Sequence, residues 1–125
     1  MATRADAASL LGAYIPSSYV QDTRSRMECY TRLAQATSEA DLDGLADQWK
    51  DRFGPLPMEV LHLILLQKIK ILASQRHISM VEVSGQKLML MRNNDYILIN
   101  KRFPRLQKKK PADKLAETWS MLSSM

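Results

Sequence analysis

The sequence predicts an α+β domain: N-terminal helices packed on a small, mostly antiparallel sheet, closed by a C-terminal helix. Three observations predict it. Up to about Gln75, apolar residues recur at three- and four-residue spacing, the mark of amphipathic helices. From His77 the pattern changes to short apolar runs, partly alternating and β-branched, separated by polar turns. A last amphipathic stretch follows Pro111. A chain of 125 residues suits one domain with its own core.

Residues 1–12 are small and polar apart from Leu10 and Leu11, and read as a disordered lead-in or linker. The domain proper is expected over 13–125. Tyr14-Ile15-Pro16-Ser17-Ser18-Tyr19-Val20 reads as an extended strap, because Pro16 pushes Ile15 away from helical geometry. Asp22 is a fair N-cap for a first helix over 23–36, with Met27, Tyr30, Leu33 and Ala34 as its apolar face. Ser38-Glu39-Ala40-Asp41 approximates a capping box and starts a second helix. Leu42, Leu45, Ala46 and Trp49 give that helix one apolar face, opposite Asp43, Asp47 and Lys50.

The second helix runs into Asp51-Arg52-Phe53-Gly54-Pro55-Leu56-Pro57. Gly54 can take the left-handed conformation that closes a helix, Pro55 cannot extend one, and Pro57 suits the first position of the next. The seven residues read as a stiff elbow, with Phe53 as its plug. Asp51 and Arg52 leave it as opposite charges on a rigid mount. On the residues alone they serve equally as a local cap or as a docking surface.

A third helix from Pro57 to about Gln75 is apolar nearly all round and is the expected hub of the core. Lys68, Lys70 and Arg76 sit toward its C-terminal end, where cations suit the dipole. Strands are expected over Ile78–Val83, Lys87–Met91 and Tyr96–Ile99, joined by turns at Ser84-Gly85 and Asn93-Asn94-Asp95. Arg105-Leu106-Gln107 is a candidate fourth edge strand, which Pro104 argues against. Pro111 at N1 and Asp113 at N3 open the last helix, with Leu115, Trp119 and Leu122 on one face.

Catalytic chemistry finds little to stand on. The glycines, at 12, 44, 54 and 85, are too scattered for a phosphate-binding loop. His62 and His77 lack ligand partners at metal spacing; His62 reads as a hydrogen-bonded core or interface residue. Cys29, the single cysteine, has a packing role available and no base suggested beside it. It rules out a disulfide framework and suits a reducing, cytoplasmic setting. No apolar run approaches a membrane span. The fragment is therefore expected to be non-enzymatic, without cofactor or metal. Met80, Met89 and Met91 read as core filler, with a soft binding groove as the alternative.

Charge is lopsided. Residues 1–60 hold six Lys/Arg against nine Asp/Glu, and residues 61–125 hold twelve against four. Lys101, Arg102, Arg105, Lys108, Lys109 and Lys110 form a basic run with Phe103 interleaved. Its commoner meaning is a solvated or edge-guarding face; the alternative is an auxiliary nucleic-acid contact through counterion release.

The ordered set of motifs resembles the C-terminal domain of the Mfd family, the bacterial transcription-repair coupling factors. It is carried by Ile15-Pro16-Ser17-Ser18-Tyr19, Arg26-Met27, Tyr30 with Leu33-Ala34, and above all Asp51-Arg52-Phe53-Gly54-Pro55-Leu56-Pro57 followed by the apolar helix. Coverage is roughly residues 13–123. The resemblance implies a regulatory domain of a much larger ATP-dependent DNA translocase, with ATP and Mg2+ belonging to its motor. That parent would displace stalled RNA polymerase, bind double-stranded DNA and recruit UvrA for nucleotide excision repair. The terminal domain would dock on the parent's N-terminal UvrB-like module, cover its UvrA-binding surface and restrain the motor. The implied contact residues are Asp51 and Arg52, with Gln48 standing where the family has an acid. The connection from the third strand to the last helix is short for the family.

Overall fold

Two side-chain caps start the helices. In the computed structural model, which describes residues 12–99 and 101–124, Asp22 accepts from the Ser25 N–H at 3.0 Å and from its hydroxyl at 2.8 Å. These bonds satisfy a donor that the helix end leaves unpaired, and they open α1, Thr23–Gln35. Ser38 does the same for α2, Glu39–Phe53, accepting from the Asp41 N–H at 3.1 Å. The other half of the expected capping box differs. Asp41 reaches past Ser38 and accepts from the Thr37 N–H and hydroxyl at 3.0 and 3.2 Å.

The chain divides between Lys68 and Ile69 into two compact units, and α3, Met58–Gln75, is continuous across the division. Pro57 stands one residue outside α3, with its carbonyl accepting from the Leu61 N–H at 3.1 Å.

In the first unit the core draws on Ala13, Ile15 and Val20 of the strap, Cys29 and Leu33 of α1, Leu42 and Trp49 of α2, and Val60, Leu63 and Ile64 of α3. Leu42 and Val60 are fully buried, and burial of such a side chain stabilises by roughly 1.5–3 kcal/mol. The strap is not extended throughout, since the Tyr19 and Val20 N–H groups turn back to Pro16 O at 3.0 and 3.1 Å. Among the bonds that fasten it are Tyr14 N–H to Glu59 O at 3.2 Å, Ile15 N–H to the Tyr30 hydroxyl at 2.8 Å, and Arg26 Nη1–H to Val20 O at 2.9 Å. The strap also corrects the expected face of α1. Met27, Tyr30 and Ala34 are exposed, and the inward stripe is Cys29 and Leu33. Ile15 and Val20 supply apolar bulk of their own, and Tyr30 can reach the Ile15 N–H only from the rim of the core. Lys68 pairs with Asp43 at 3.3 Å and ties α3 to α2; an exposed pair of this kind adds about 0–1 kcal/mol. His62, expected to be hydrogen-bonded, leaves its buried Nδ1 without a partner.

In the second unit α3 ends in a Schellman arrangement. Ile78 N–H donates to Ala73 O at 2.8 Å and His77 N–H to Ser74 O at 3.1 Å, with His77 left-handed at φ 58°. Arg76 serves a different helix from the one expected. Its guanidinium donates to Leu122 O and Ser123 O at the end of α4, Pro111–Ser123. Arg92 takes over at α3, donating to Arg76 O at 3.0 and 2.7 Å.

The sheet runs β1-β2-β3, all antiparallel, from β1, Met80–Ser84, through β2, Lys87–Arg92, to β3, Asp95–Tyr96. Asn93 and Asn94 at φ 54° and 65° make the β2–β3 connection a type I′ turn. β3 is shorter than the expected Tyr96–Ile99. After Ile97 N–H bonds Leu90 O at 2.8 Å, the chain leaves the sheet and doubles back where Ile99 bridges Arg102. It then returns to the same edge of β2, with Leu88 N–H bonding Pro104 O at 2.8 Å and Leu106 N–H bonding Gln86 O at 2.6 Å. Pro104 contributes only its carbonyl, so its missing N–H costs nothing there. The candidate fourth strand is thus a single bridge, Lys87 to Arg105.

Leu88 and Leu90 are buried on one face of β2. The two-residue period puts Lys87, Met89 and Met91 on the other, where they are partly exposed. Met80 pairs with Met91 and is likewise partly exposed, so these methionines are not the core filler expected of them. Among the described residues no helix is long and apolar enough to cross a membrane.

Candidate docking site at the elbow

The elbow is built backbone first. Gly54 closes α2 by donating its N–H to Lys50 O at 3.0 Å, with φ 98° and ψ −171°. The positive φ is as expected, but the extended ψ lies outside the left-handed helical region, in a territory essentially reserved for glycine. The Tyr19 hydroxyl, brought in by the strap, lies 2.8 Å from Gly54 O and 3.1 Å from Trp49 O, so its proton serves two carbonyls of the last turn. Its ring meets Phe53 edge to face, with centroids 5.7 Å apart, which adds to what burial alone gives. Burial pushes the Tyr19 hydroxyl above its ordinary pKa, with a smaller contribution from Cys29. Tyr19 therefore stays a donor at neutral pH.

On this mount sit the three expected docking residues. Gln48, Asp51 and Arg52 are all exposed. Their spacing of three and four residues puts them on one face of the last turns of α2. The Arg52 guanidinium carbon lies 4.9 Å from the centroid of the Phe53 ring, a cation–π arrangement that holds the arginine over the plug. Among the described residues neither Asp51 nor Arg52 takes part in an ion pair. Both side chains are exposed, and Arg52 is engaged in part with the Phe53 ring.

Gln48 and Arg52 also line a shallow depression with Trp49 of α2 and Glu28, Cys29 and Arg32 of α1, a feature that sequence reasoning missed. Its floor is Cys29. Burial pushes that thiol up, against the pull of Arg52 and Arg32 and with Glu28 adding to the rise. Such a cysteine is a poor nucleophile at neutral pH. Among the described residues no group of three His, Cys, Asp or Glu could hold a metal ion.

The six cations of the basic run lie in the second unit and are all exposed. A carboxylate that sequence reasoning passed over organises them. Glu117 accepts from the Gln107 N–H at 2.9 and 2.8 Å and from the Lys108 N–H at 3.0 Å. These backbone bonds, more than the nearby Lys108 charge, hold the Glu117 carboxyl below its ordinary range.

Among the described residues, four helices and a three-stranded antiparallel sheet make an α+β fold of the kind seen in a solved crystal structure of the C-terminal domain of transcription-repair coupling factor. The match has a TM-score of 0.68 and covers 90% of this chain and 89% of that one; at 17% identity it is a likeness of fold. The model of the TRCF domain family matches residues 10–102, and the chain belongs to that family. Among its relatives are the transcription-repair-coupling factors of Bacillus subtilis, 29% identical over 66% of this chain, and of Buchnera aphidicola, 31% identical over 74% of it. The matches span only 8% and 11% of those two proteins.

Proposed function

We propose that this chain is a non-catalytic, autoinhibitory docking domain of a transcription-repair coupling factor. It closes on the UvrB-like module of its parent and masks the surface that would bind UvrA. It thereby restrains an ATP- and Mg2+-dependent motor on double-stranded DNA until stalled RNA polymerase is engaged in the cytoplasm. The observation that carries this reading is the elbow: Gln48, Asp51 and Arg52 are exposed on a helix end locked by Gly54, Tyr19 and Phe53.

A contact that must release can exceed the activating partner's supply by nothing, since a ligand shifts an equilibrium only by its differential affinity. Few, charged and pre-positioned side chains meet that condition better than a broad apolar face. They also lose little conformational freedom on docking.

The test is titration of the isolated UvrB-like module with this chain and with its Asp51→Ala/Arg52→Ala variant. The variant is expected to bind at least about tenfold more weakly, the loss of one buried charge-assisted contact. Equal binding by the two proteins removes the interface.

A further inference from the structure

We propose that the outward face of the sheet, with the cationic edge beside it, binds single-stranded nucleic acid. The surface lies wholly in the second unit and is independent of the docking elbow. Strand register assembles it. Tyr96 pairs with Met91 and Arg105 bridges Lys87, so all four share the face opposite Leu88 and Leu90, together with Met89. Phe103 joins them, its ring 5.2 Å from that of Tyr96 and 5.1 Å from Lys87 Nζ. Tyr96 is 43% exposed, and Leu98 and Ile99 beyond it are 48% and 51% exposed. The result is an aromatic and thioether platform that carries Lys87 and Arg105, with Glu82 on the same face opposite Met89.

Arg76, Arg92 and Lys114 hold backbone carbonyls, which leaves the lysine run itself to be explained. Residues 69–125 carry eleven Lys/Arg and four Asp/Glu. Lysines on a sheet edge normally guard it against pairing, but this edge of β2 is already paired by the return of residues 104–106. Lys108, Lys109 and Lys110 lie beyond that pairing, on the approach to α4, where no strand needs guarding. Glu117 lies beside the run, accepting from the Gln107 and Lys108 N–H groups, and its charge offsets only that of Lys108 among the three lysines. Of the three other acids, Glu82 is on the platform face opposite Met89, Asp95 pairs with Arg92 on the other face, and Asp113 stands three residues after Lys110 in the first turn of α4. Asp113 and Glu117 offset part of the run, which keeps an excess of positive charge over residues 101–117.

Exposed cations alone would suit any polyanion. The platform decides between forms of nucleic acid. A duplex presents phosphates and sugars outward and keeps its base faces stacked inside, so it would leave Tyr96 idle. An unpaired strand offers base faces to an aromatic ring and phosphates to flanking cations, and sheet faces are a common place for that pairing of contacts.

Fluorescence anisotropy with the full chain tests this, using a labelled oligothymidine of about 12 nucleotides, within the site sizes common for such surfaces, and a duplex of the same length. The single strand is expected to bind more tightly than the duplex. Six phosphate contacts predict a loss of up to about 300-fold between 50 and 200 mM salt. Lys108→Ala/Lys109→Ala/Lys110→Ala should reduce the salt slope by about 2. Tyr96→Ala should weaken single-strand binding by roughly 5- to 150-fold while Tyr96→Phe, which keeps the ring, restores it. No binding of the single strand at low salt overturns the proposal. So does a duplex that binds as tightly, with Tyr96→Ala without effect.

Discussion

The elbow and the cationic edge both present charge to solvent, and they are held in opposite ways. At the elbow a regular helix ends on a glycine that no other residue can imitate, and neutral groups lock it: the Tyr19 hydroxyl, two carbonyls and an aromatic edge. At the edge the backbone is irregular. Its order rests on two backbone bonds to β2 and its lead-in, Leu88 N–H to Pro104 O and Leu106 N–H to Gln86 O, on two bonds from the Gln86 side chain to Leu106 O and Gln107 O, and, for Gln107 and Lys108, on one carboxylate, Glu117. The difference teaches where each region can be broken. Backbone conformation should control the first and protonation the second.

Gly54→Ala should have the largest effect. There is room for a Cβ at this position, so the cost is not steric crowding by neighbours but the backbone conformation itself. A φ of 98° with ψ of −171° costs a non-glycine residue about 1–3 kcal/mol. Urea unfolding should report that loss, and docking to the UvrB-like module should weaken with it. Full retention of stability would mean that the elbow tolerates a different closure.

Tyr19→Phe comes next. It keeps the ring against Phe53 and removes the hydroxyl from Trp49 O and Gly54 O. A hydrogen bond of this kind contributes about 1 kcal/mol net, and that is the expected loss in the same unfolding experiment. The hydroxyl's raised pKa gives the wild type a matching signature. Its stabilisation is fully present below its ordinary value of 10.0 and is lost as pH rises through the higher folded value. Tyr19→Phe should remove that alkaline dependence.

Much of the elbow was legible in the sequence because it is local. Gly54, Pro55 and Pro57 announce a helix break by their own backbone chemistry, and Asp22 and Ser38 announce two starts. The lock was not legible, since Tyr19 stands 30 and 35 residues from the carbonyls it serves. The inward face of α1 was misread for the same reason, because the strap that sets it comes from outside the helix. The end of α3 at Gln75 was legible from the change of period at His77, but not the left-handed conformation by which His77 closes it, since that is usually left to glycine. In the sheet, Leu88-Met89-Leu90-Met91 is apolar at every position, so alternation could not say which residues face the core. The composition of residues 101–110 gave the cations, but not their arrangement: the return to β2 and the Glu117 contact are both long-range.

Glu117 sharpens the comparison through acid. Its folded pKa is lowered from 4.5 by the Gln107 and Lys108 N–H groups. The order it confers is therefore complete above the unfolded value and is lost as pH falls through the lower folded value. Amide hydrogen exchange should show Gln107 and Lys108 losing protection below about pH 4.5, the ordinary carboxyl range, before Leu88, whose N–H is held by a backbone carbonyl. The Gly54 N–H should keep its protection over the same range, because no carboxylate takes part in its lock. Glu117→Ala removes both acceptor oxygens and should expose the two edge amides at every pH, without acid dependence. If Gln107 and Lys108 stay protected in that variant, the edge is held by its pairing with β2 alone, and the contrast between the two regions disappears.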